Sequence, residues 1–136
     1  MPIRPLPAKA LPAPRFRYTP CVQAGPWRQV SGMIALDPAS GALEAGGPGA
    51  ETRRVLANLQ AALPEWGLTL ADLVIARIFT TRFDAFGEIN AAWEATFDSA
   101  TTPPARTSVG VTALPLGATV EIEFCFWKAD DDGQVR

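Results

Sequence analysis

The hydrophobic positions of the chain repeat with two periods, one typical of strands and one typical of helices. Two stretches with apolar residues every three or four positions predict helices, and alternating or β-branched runs predict strands. The predicted order is strand 15–24, strand 27–35, helix 50–66, strand 73–81, helix 84–98, strand 105–112 and strand 119–128. The run 73–81 is almost continuously apolar, which is typical of a central strand covered on both faces. Pro20 interrupts the first segment, which favours an edge strand, and Asp84 stands where it would cap the second helix.

The last strand separates two kinds of side chain. Val120, Ile122, Phe124 and Phe126 lie on one side, and Glu121, Glu123, Cys125 and Trp127 lie on the other. Two helices cover only one face of one sheet, so the sequence predicts an α+β fold with both helices on the same face. The second face mixes charge with Cys and Trp, which favours a subunit interface containing polar pockets over free solvent.

The chain has the length of one domain, with 136 residues. We expect a single domain over residues 15–129, preceded by an irregular Pro-rich arm, 1–14, that drapes over the surface or reaches a neighbour. The acidic segment 130–136 is expected to be a solvated, mobile tail.

Charge and hydropathy exclude several partners. The net charge is −2 and no Lys/Arg-rich run is present, so a nucleic-acid partner is not expected. No stretch approaches the roughly 18 apolar residues of a membrane span. The prolines at positions 2, 5, 7, 12 and 14 argue against a signal or transit peptide. We therefore expect a cytoplasmic protein that contacts neither nucleic acid nor membrane.

The chain contains no histidine and two cysteines, Cys21 and Cys125, which are far apart in sequence. The absence of histidine excludes Ser-His-Asp and Cys-His nucleophiles as well as His-ligated metal sites. We expect neither a metal nor a cofactor, which agrees with the absence of histidine. General acid or base work falls to Asp, Glu, Lys, Tyr, Cys or bound water.

Arg106 opens a strand in which Arg106, Ser108 and Gly110 share one side. A guanidinium held by a strand beside small residues suits a carboxylate bound through two parallel hydrogen bonds. A structural ion pair with Glu121 or Glu123 is the alternative, and spacing alone favours it.

Glu121 and Glu123 share one strand face. Partial burial would raise the pKa of one carboxyl group and allow it to move protons, although a paired polar face explains the pattern more simply. Cys21 lies near the proposed edge strand, where it either lines a pocket or is an inert thiol.

Asn90 lies on the apolar face of the second predicted helix, where it binds a loop backbone or a ligand. Ser31 and Gly32 end a strand. Because glycine permits close approach, backbone N–H groups there could meet a ligand, or the pair could form a bend.

Eight segments, taken in order, resemble the YjgF/Rid group of imine/enamine deaminases. They are Tyr18–Ala24, Val30–Pro38, Gly41–Leu43 with Glu51–Leu59, Phe86–Asn90, Pro104–Val109, Ala113–Pro115 and Val120–Glu123. Their joint order and spacing, over about residues 17–128, carries the resemblance.

The resemblance implies a chorismate-mutase-like fold and a homotrimer with one pocket at each subunit interface. It implies that Arg106 grips the carboxylate of a small imine or enamine substrate and that Glu121 orients or activates water. It further implies substrate contacts from Cys21, Ser31, Gly32, Asn90, Ser108 and Pro115.

The chain departs from the family pattern at two of these positions. The family often has Tyr where this chain has Cys21, and Cys where it has Ser108. Losing that Tyr would remove a phenol from the pocket.

The expected activity is hydrolysis of 2-imino or 2-enamino acids to 2-oxo acids and ammonia. A ring-cleavage-pathway deaminase, for example on 2-aminomuconate, and a non-catalytic metabolite-binding protein are the alternatives. The ribonuclease activity that has been attached to the family fits poorly with the missing basic patch.

Overall fold

A mixed six-stranded sheet organises the chain, of which the computed structural model describes residues 2–129. The strands are β1 (Arg4–Pro5), β2 (Cys21–Ala24), β3 (Trp27–Met33), β4 (Leu73–Thr80), β5 (Ala105–Gly110) and β6 (Val120–Trp127), in the spatial order β1-β2-β3-β6-β4-β5. All neighbours are antiparallel except β4 and β5. That pair is parallel because a helix carries the chain back to the same end of the sheet.

Two helices, α1 (Pro48–Trp66) and α2 (Phe86–Thr96), pack on one face of this sheet. This arrangement confirms the predicted α+β fold. The helix α1 begins two residues before the predicted start because Pro48 fits the first turn, where its missing N–H costs nothing. It ends at Gly67, which takes the left-handed conformation with φ 67°. No helix within residues 2–129 combines the length and apolar character needed to cross a membrane.

The core lies between the helices and one side of β6. Along β6 the burial alternates as predicted: Val120, Ile122, Phe124 and Phe126 are fully buried, whereas Glu121, Glu123 and Cys125 are partly exposed. The strand β4 is central, between β6 and β5. In the single chain, however, it is covered on the helix side only, and Val74 stays exposed.

The predicted cap of the second helix is wrong. The N-cap residue of α2 is Ala85, and no side chain caps this end. Asp84 instead lies in a short 3₁₀ turn, Phe83–Ala85, where its carboxylate pairs with the guanidinium of Arg82 at 3.0 Å. The nearby arginine and the tight turn draw the carboxylate away from the helix amides.

The N-terminal arm packs against the rest of its own chain. Arg4–Pro5 form β1 against β2, so β2 is not the edge strand that the sequence suggested. Farther along, Leu6 and Leu11 pack against the core. The acidic segment 130–136 lies outside the described residues.

Candidate functional site

A cavity of about 280 Å³ lies where the arm meets the end of β3 and the start of β6. Of the predicted site residues it brings together Ser31, Gly32, Pro115 and Glu121. The remaining lining is mostly apolar: Leu11, Pro12, Ala13, Arg15, Phe16, Tyr18, Pro20, Met33, Ile34, Leu36, Asn58 and Leu116. A carboxyl group at one end and apolar walls elsewhere are typical of a small-molecule site.

Glu121 projects from the helix-free face of β6 and lies against Gly32. A β-carbon built at position 32 would overlap Oε2 of Glu121 and lie 3.0 Å from its Cδ, so any side chain there would force the end of Glu121 to shift. Burial raises the pKa of the Glu121 carboxyl group, and the like charge of Glu123 raises it further. A half-buried carboxyl group with a raised pKa can accept a proton from water near neutral pH.

Ser31 is held in a fixed position beside this carboxyl group. Its hydroxyl donates to the carbonyl of Thr19 at 2.7 Å, and its backbone N–H donates to the carbonyl of Pro20 at 2.8 Å. The ladder between β3 and β6 is irregular between Val30 and Met33, so the chain bends at Ser31 and Gly32. These bonds fix the segment that leads into β2.

The ion pair considered for Arg106 is wrong. Glu123 pairs instead with Arg77 of β4, with 3.2 Å between Nη1 and Oε1. The strand β4 lies between β5 and β6, so Arg106 has no direct neighbour on β6. Within residues 2–129, no group of three or more His, Cys, Asp or Glu side chains is arranged to hold a metal ion.

Arg106 lies on the helix side of the sheet, away from Glu121. It stands opposite the buried Ala76 of β4, and its guanidinium carbon lies 5.5 Å from the ring centre of Phe86 and 5.2 Å from that of Trp93. At these distances the faces of both aromatic rings attract the guanidinium cation. No hydrogen bond or ion pair from residues 2–129 occupies its N–H groups, so the fork is available to a carboxylate.

The other predicted contacts lie outside the cavity. Cys21 is fully buried because it pairs with Val30 on the core side of the sheet, and burial raises the pKa of its thiol to about 12. This placement gives no support to the predicted substrate contact of Cys21. Ser108, on the same side of β5 as Arg106, and Asn90 of α2 are partly exposed and do not reach the cavity of the single chain.

Tyr18 and Arg15 are among the cavity residues that the sequence did not predict. Tyr18, the only tyrosine of the chain, lines the cavity and places a phenol there from a position other than that of Cys21. Arg15 also lines it and donates to the carbonyl of Gly41 at 2.7 Å. Both lie in the predicted strand 15–24, but β2 begins only at Cys21, so the strand pattern does not report which way these two side chains face.

Comparison with known proteins identifies the family. The family model described as endoribonuclease L-PSP matches residues 8–126. The chain belongs to this family, also called YjgF/RutC/Rid. Membership in the Rid family confirms the resemblance stated from the sequence.

Relatives cover most of the chain. Protein DfrA of Myxococcus xanthus is 40% identical over 102 residues, which cover 75% of this chain and 76% of DfrA. The 2-iminobutanoate/2-iminopropanoate deaminase of Mus musculus is 34% identical over 112 residues, 82% of each chain. The crystal structure of E. coli TdcF with bound serine superposes with a TM-score of 0.86 at 27% identity, and the match covers 93% of this chain and 99% of TdcF. The Rid family thus includes proteins named as imine deaminases.

Proposed function

We propose that this Rid protein hydrolyses 2-imino and 2-enamino acids to 2-oxo acids and ammonia. Water adds to the C=N carbon of the imine, and the resulting carbinolamine releases ammonia and leaves a carbonyl group. Arg106 binds the substrate carboxylate, and Glu121 takes a proton from the attacking water and returns it to the nitrogen, which leaves as ammonia. The reaction draws only on water and these side chains.

The separation of Arg106 from Glu121 is the reason for proposing that the site is shared between subunits. The strand β4 lies between their strands, and paired residues show that the two side chains point to opposite faces. One chain therefore cannot place both groups on one small substrate. A ring of three copies, in which each pocket takes Glu121 from one subunit and Arg106 from the next, joins them.

The helix-free face of the sheet offers surface for such an assembly. Trp27 and Trp127 pair across β3 and β6 and are both exposed, as is Val109 of β5. Exposed aromatic and aliphatic side chains on one face are typical of a subunit interface. The free edge of β5 carries Arg106 beside this face.

The chemistry of the two groups, the guanidinium of Arg106 and the carboxyl group of Glu121, suits an imino acid. The planar fork of Arg106, backed by two rings, fits a planar carboxylate. The raised pKa of Glu121 places its proton transfer closer to neutral pH. The name of the mouse relative, an imine deaminase, and the serine bound to TdcF agree with a small ligand that carries a carboxylate and nitrogen.

Subunit complementation tests both the chemistry and the assembly. We expect Arg106→Ala and Glu121→Gln each to lose at least about 100-fold in kcat/KM for 2-iminopropanoate, because each removes a charged contact to substrate or water. Differently tagged copies of the two variants are then co-expressed, and hybrids carrying both tags are purified. In a ring of three, each hybrid that carries both tags has one site of three with an intact Arg106 and an intact Glu121, so activity should return to about a third of wild type.

The outcomes separate the two parts of the proposal. Hybrids as inactive as their parents would show that the two residues do not share an intersubunit site. Wild-type rates of ammonia release from both single variants would remove their catalytic roles. Sedimentation of the wild type measures the trimer directly, and a monomer would contradict it.

A further inference from the structure

The N-terminal arm forms one side of the cavity and is fixed there by its main chain. The backbone N–H groups of Lys9 and Ala10 donate to the two carboxylate oxygens of Glu65 at 3.0 and 2.8 Å. The indole N–H of Trp66 donates to the carbonyl of Pro7 at 2.8 Å. Because α1 supplies both anchors, the arm reaches the cavity at a set position.

Beyond these anchors the end of the arm and the residues that follow it supply an apolar wall. We use the name arm wall for Leu11, Pro12, Ala13, Phe16 and Tyr18, all of which line the cavity. Phe16 and Tyr18 are 71% and 50% exposed, so large parts of their rings have no cover in the chain. Leu116, across the cavity, is 49% exposed. A ligand that reached between them would bury this surface.

The carboxyl group among the lining residues is that of Glu121, which lies against Gly32, where the proposed reaction takes place. Met33, Ile34 and Leu36 add to the apolar lining that the arm wall begins. The volume of about 280 Å³ approaches that of sites for drug-sized ligands, roughly 300 Å³ and above, and exceeds the needs of a three-carbon imino acid.

We propose that the arm wall selects 2-imino acids with a long apolar side chain. This inference rests on the proposed function, since it places the reacting carbon at Glu121 and the side chain against the arm wall. Each methylene buried there should raise kcat/KM about fourfold. Arg15 donates one N–H to the carbonyl of Gly41, and no side chain of the arm wall carries a charge, so the wall favours apolar over acidic side chains.

A panel of imines, generated in place from amino acids by an amino-acid oxidase, tests the selection. The panel contains the imines of alanine, leucine, phenylalanine and glutamate. We expect wild-type kcat/KM to be at least tenfold higher for the leucine and phenylalanine imines than for the alanine imine. A flat panel, or a preference for the glutamate imine, would overturn the proposal, the latter because it would assign Arg15 to a second carboxylate.

Two variants test the arm wall itself. Phe16→Ala removes part of the wall, and Glu65→Ala removes the acceptor of two arm amides. Each should lower the ratio of kcat/KM for the leucine imine over the alanine imine by about fivefold. Glu94→Ala, which changes an exposed carboxylate on α2, is the matched control and should keep the wild-type ratio. An unchanged ratio in both Phe16→Ala and Glu65→Ala would contradict the proposal.

A binding measurement distinguishes failure of this inference from failure of the proposed function. The wild type could accelerate the hydrolysis of no imine. In that case calorimetry with pyruvate and 4-methyl-2-oxopentanoate still tests whether the arm wall binds a long apolar side chain. Tighter binding of the longer acid, lost in Phe16→Ala, would support the arm wall while the deaminase proposal failed. Equal binding of both acids would overturn the arm wall as well.

Discussion

The carboxyl group of Glu121 occupies the space that a side chain at position 32 would need. The Cδ atom of Glu121 would lie 3.0 Å from a β-carbon built on Gly32. The backbone of Gly32 therefore acts as a wall that sets where the carboxyl group sits. A side chain at position 32 would disturb this close approach, whereas the φ of Gly32 is not in the left-handed region and does not itself call for glycine.

Substitution Gly32→Ala should push Glu121 out of place. We expect kcat to fall at least tenfold, because small displacements of a catalytic group have large effects on rate, with a small change in thermal stability at this exposed position. Steady-state kinetics and a melting curve check this. Gly87→Ala is the matched control, since a methyl group there meets nothing within 4 Å. It should keep wild-type kcat and stabilise α2 by about 0.5–1 kcal/mol. Wild-type kcat in Gly32→Ala would contradict the positioning role.

Substitution Glu123→Gln should move the pH dependence of the reaction. The negative charge of Glu123 raises the pKa of Glu121, and its removal also frees the guanidinium of Arg77. Both changes favour the ionised form of Glu121 and lower its pKa. If ionised Glu121 is the base, the rate falls as the pH drops through its pKa, so the acid limb of kcat/KM should move to lower pH in the variant. Glu94→Gln serves as the control and should leave the limb in place. A limb that stays or moves upward would exclude Glu121 as the titrating group.

Substitution Glu51→Gln should destabilise the fold without touching the site. The buried carboxylate of Glu51, in the first turn of α1, accepts from the backbone N–H and the hydroxyl of Thr119 at 2.9 and 2.7 Å and from the N–H of Val120 at 3.3 Å. An amide keeps one acceptor oxygen and turns an NH₂ group toward donors, which leaves a buried donor unpaired. The expected loss is about 1–3 kcal/mol of unfolding free energy, measured by urea titration. The same change at the exposed Glu94 should cost little, and equal stability of the two variants would contradict this account.

Local patterns predicted the helices and strands well, because the spacing of apolar residues within one element depends on neighbours in the sequence. The alternation of Val120, Ile122, Phe124 and Phe126 assigned the two faces of β6 correctly, and the apolar stripes located both helices. The resemblance to the Rid family, confirmed by comparison, supplied the candidate site. Four of its residues share the cavity.

Several errors came from partners that are distant in sequence, whereas the predicted cap of α2 failed because of Arg82, two residues from Asp84. Spacing does not reveal that β4 lies between Arg106 and the two glutamates, so the ion pair considered for Arg106 was wrong. Likewise, the two faces of β2 could not be told apart over four residues, and Cys21 turned to the core. The docking of the arm depends on Glu65 and Trp66, more than fifty residues away.

The way in which the arm is attached has a consequence for how the pocket can change during evolution. Its anchors join main-chain groups of Leu6, Pro7, Lys9 and Ala10 to the rest of the chain. Substitutions of Lys9 and Ala10 therefore keep the backbone groups that bind Glu65. Mutation and selection can alter the neighbouring side chains that face the cavity, and with them the ligand preference, while the sheet, the helices and the reacting groups stay the same.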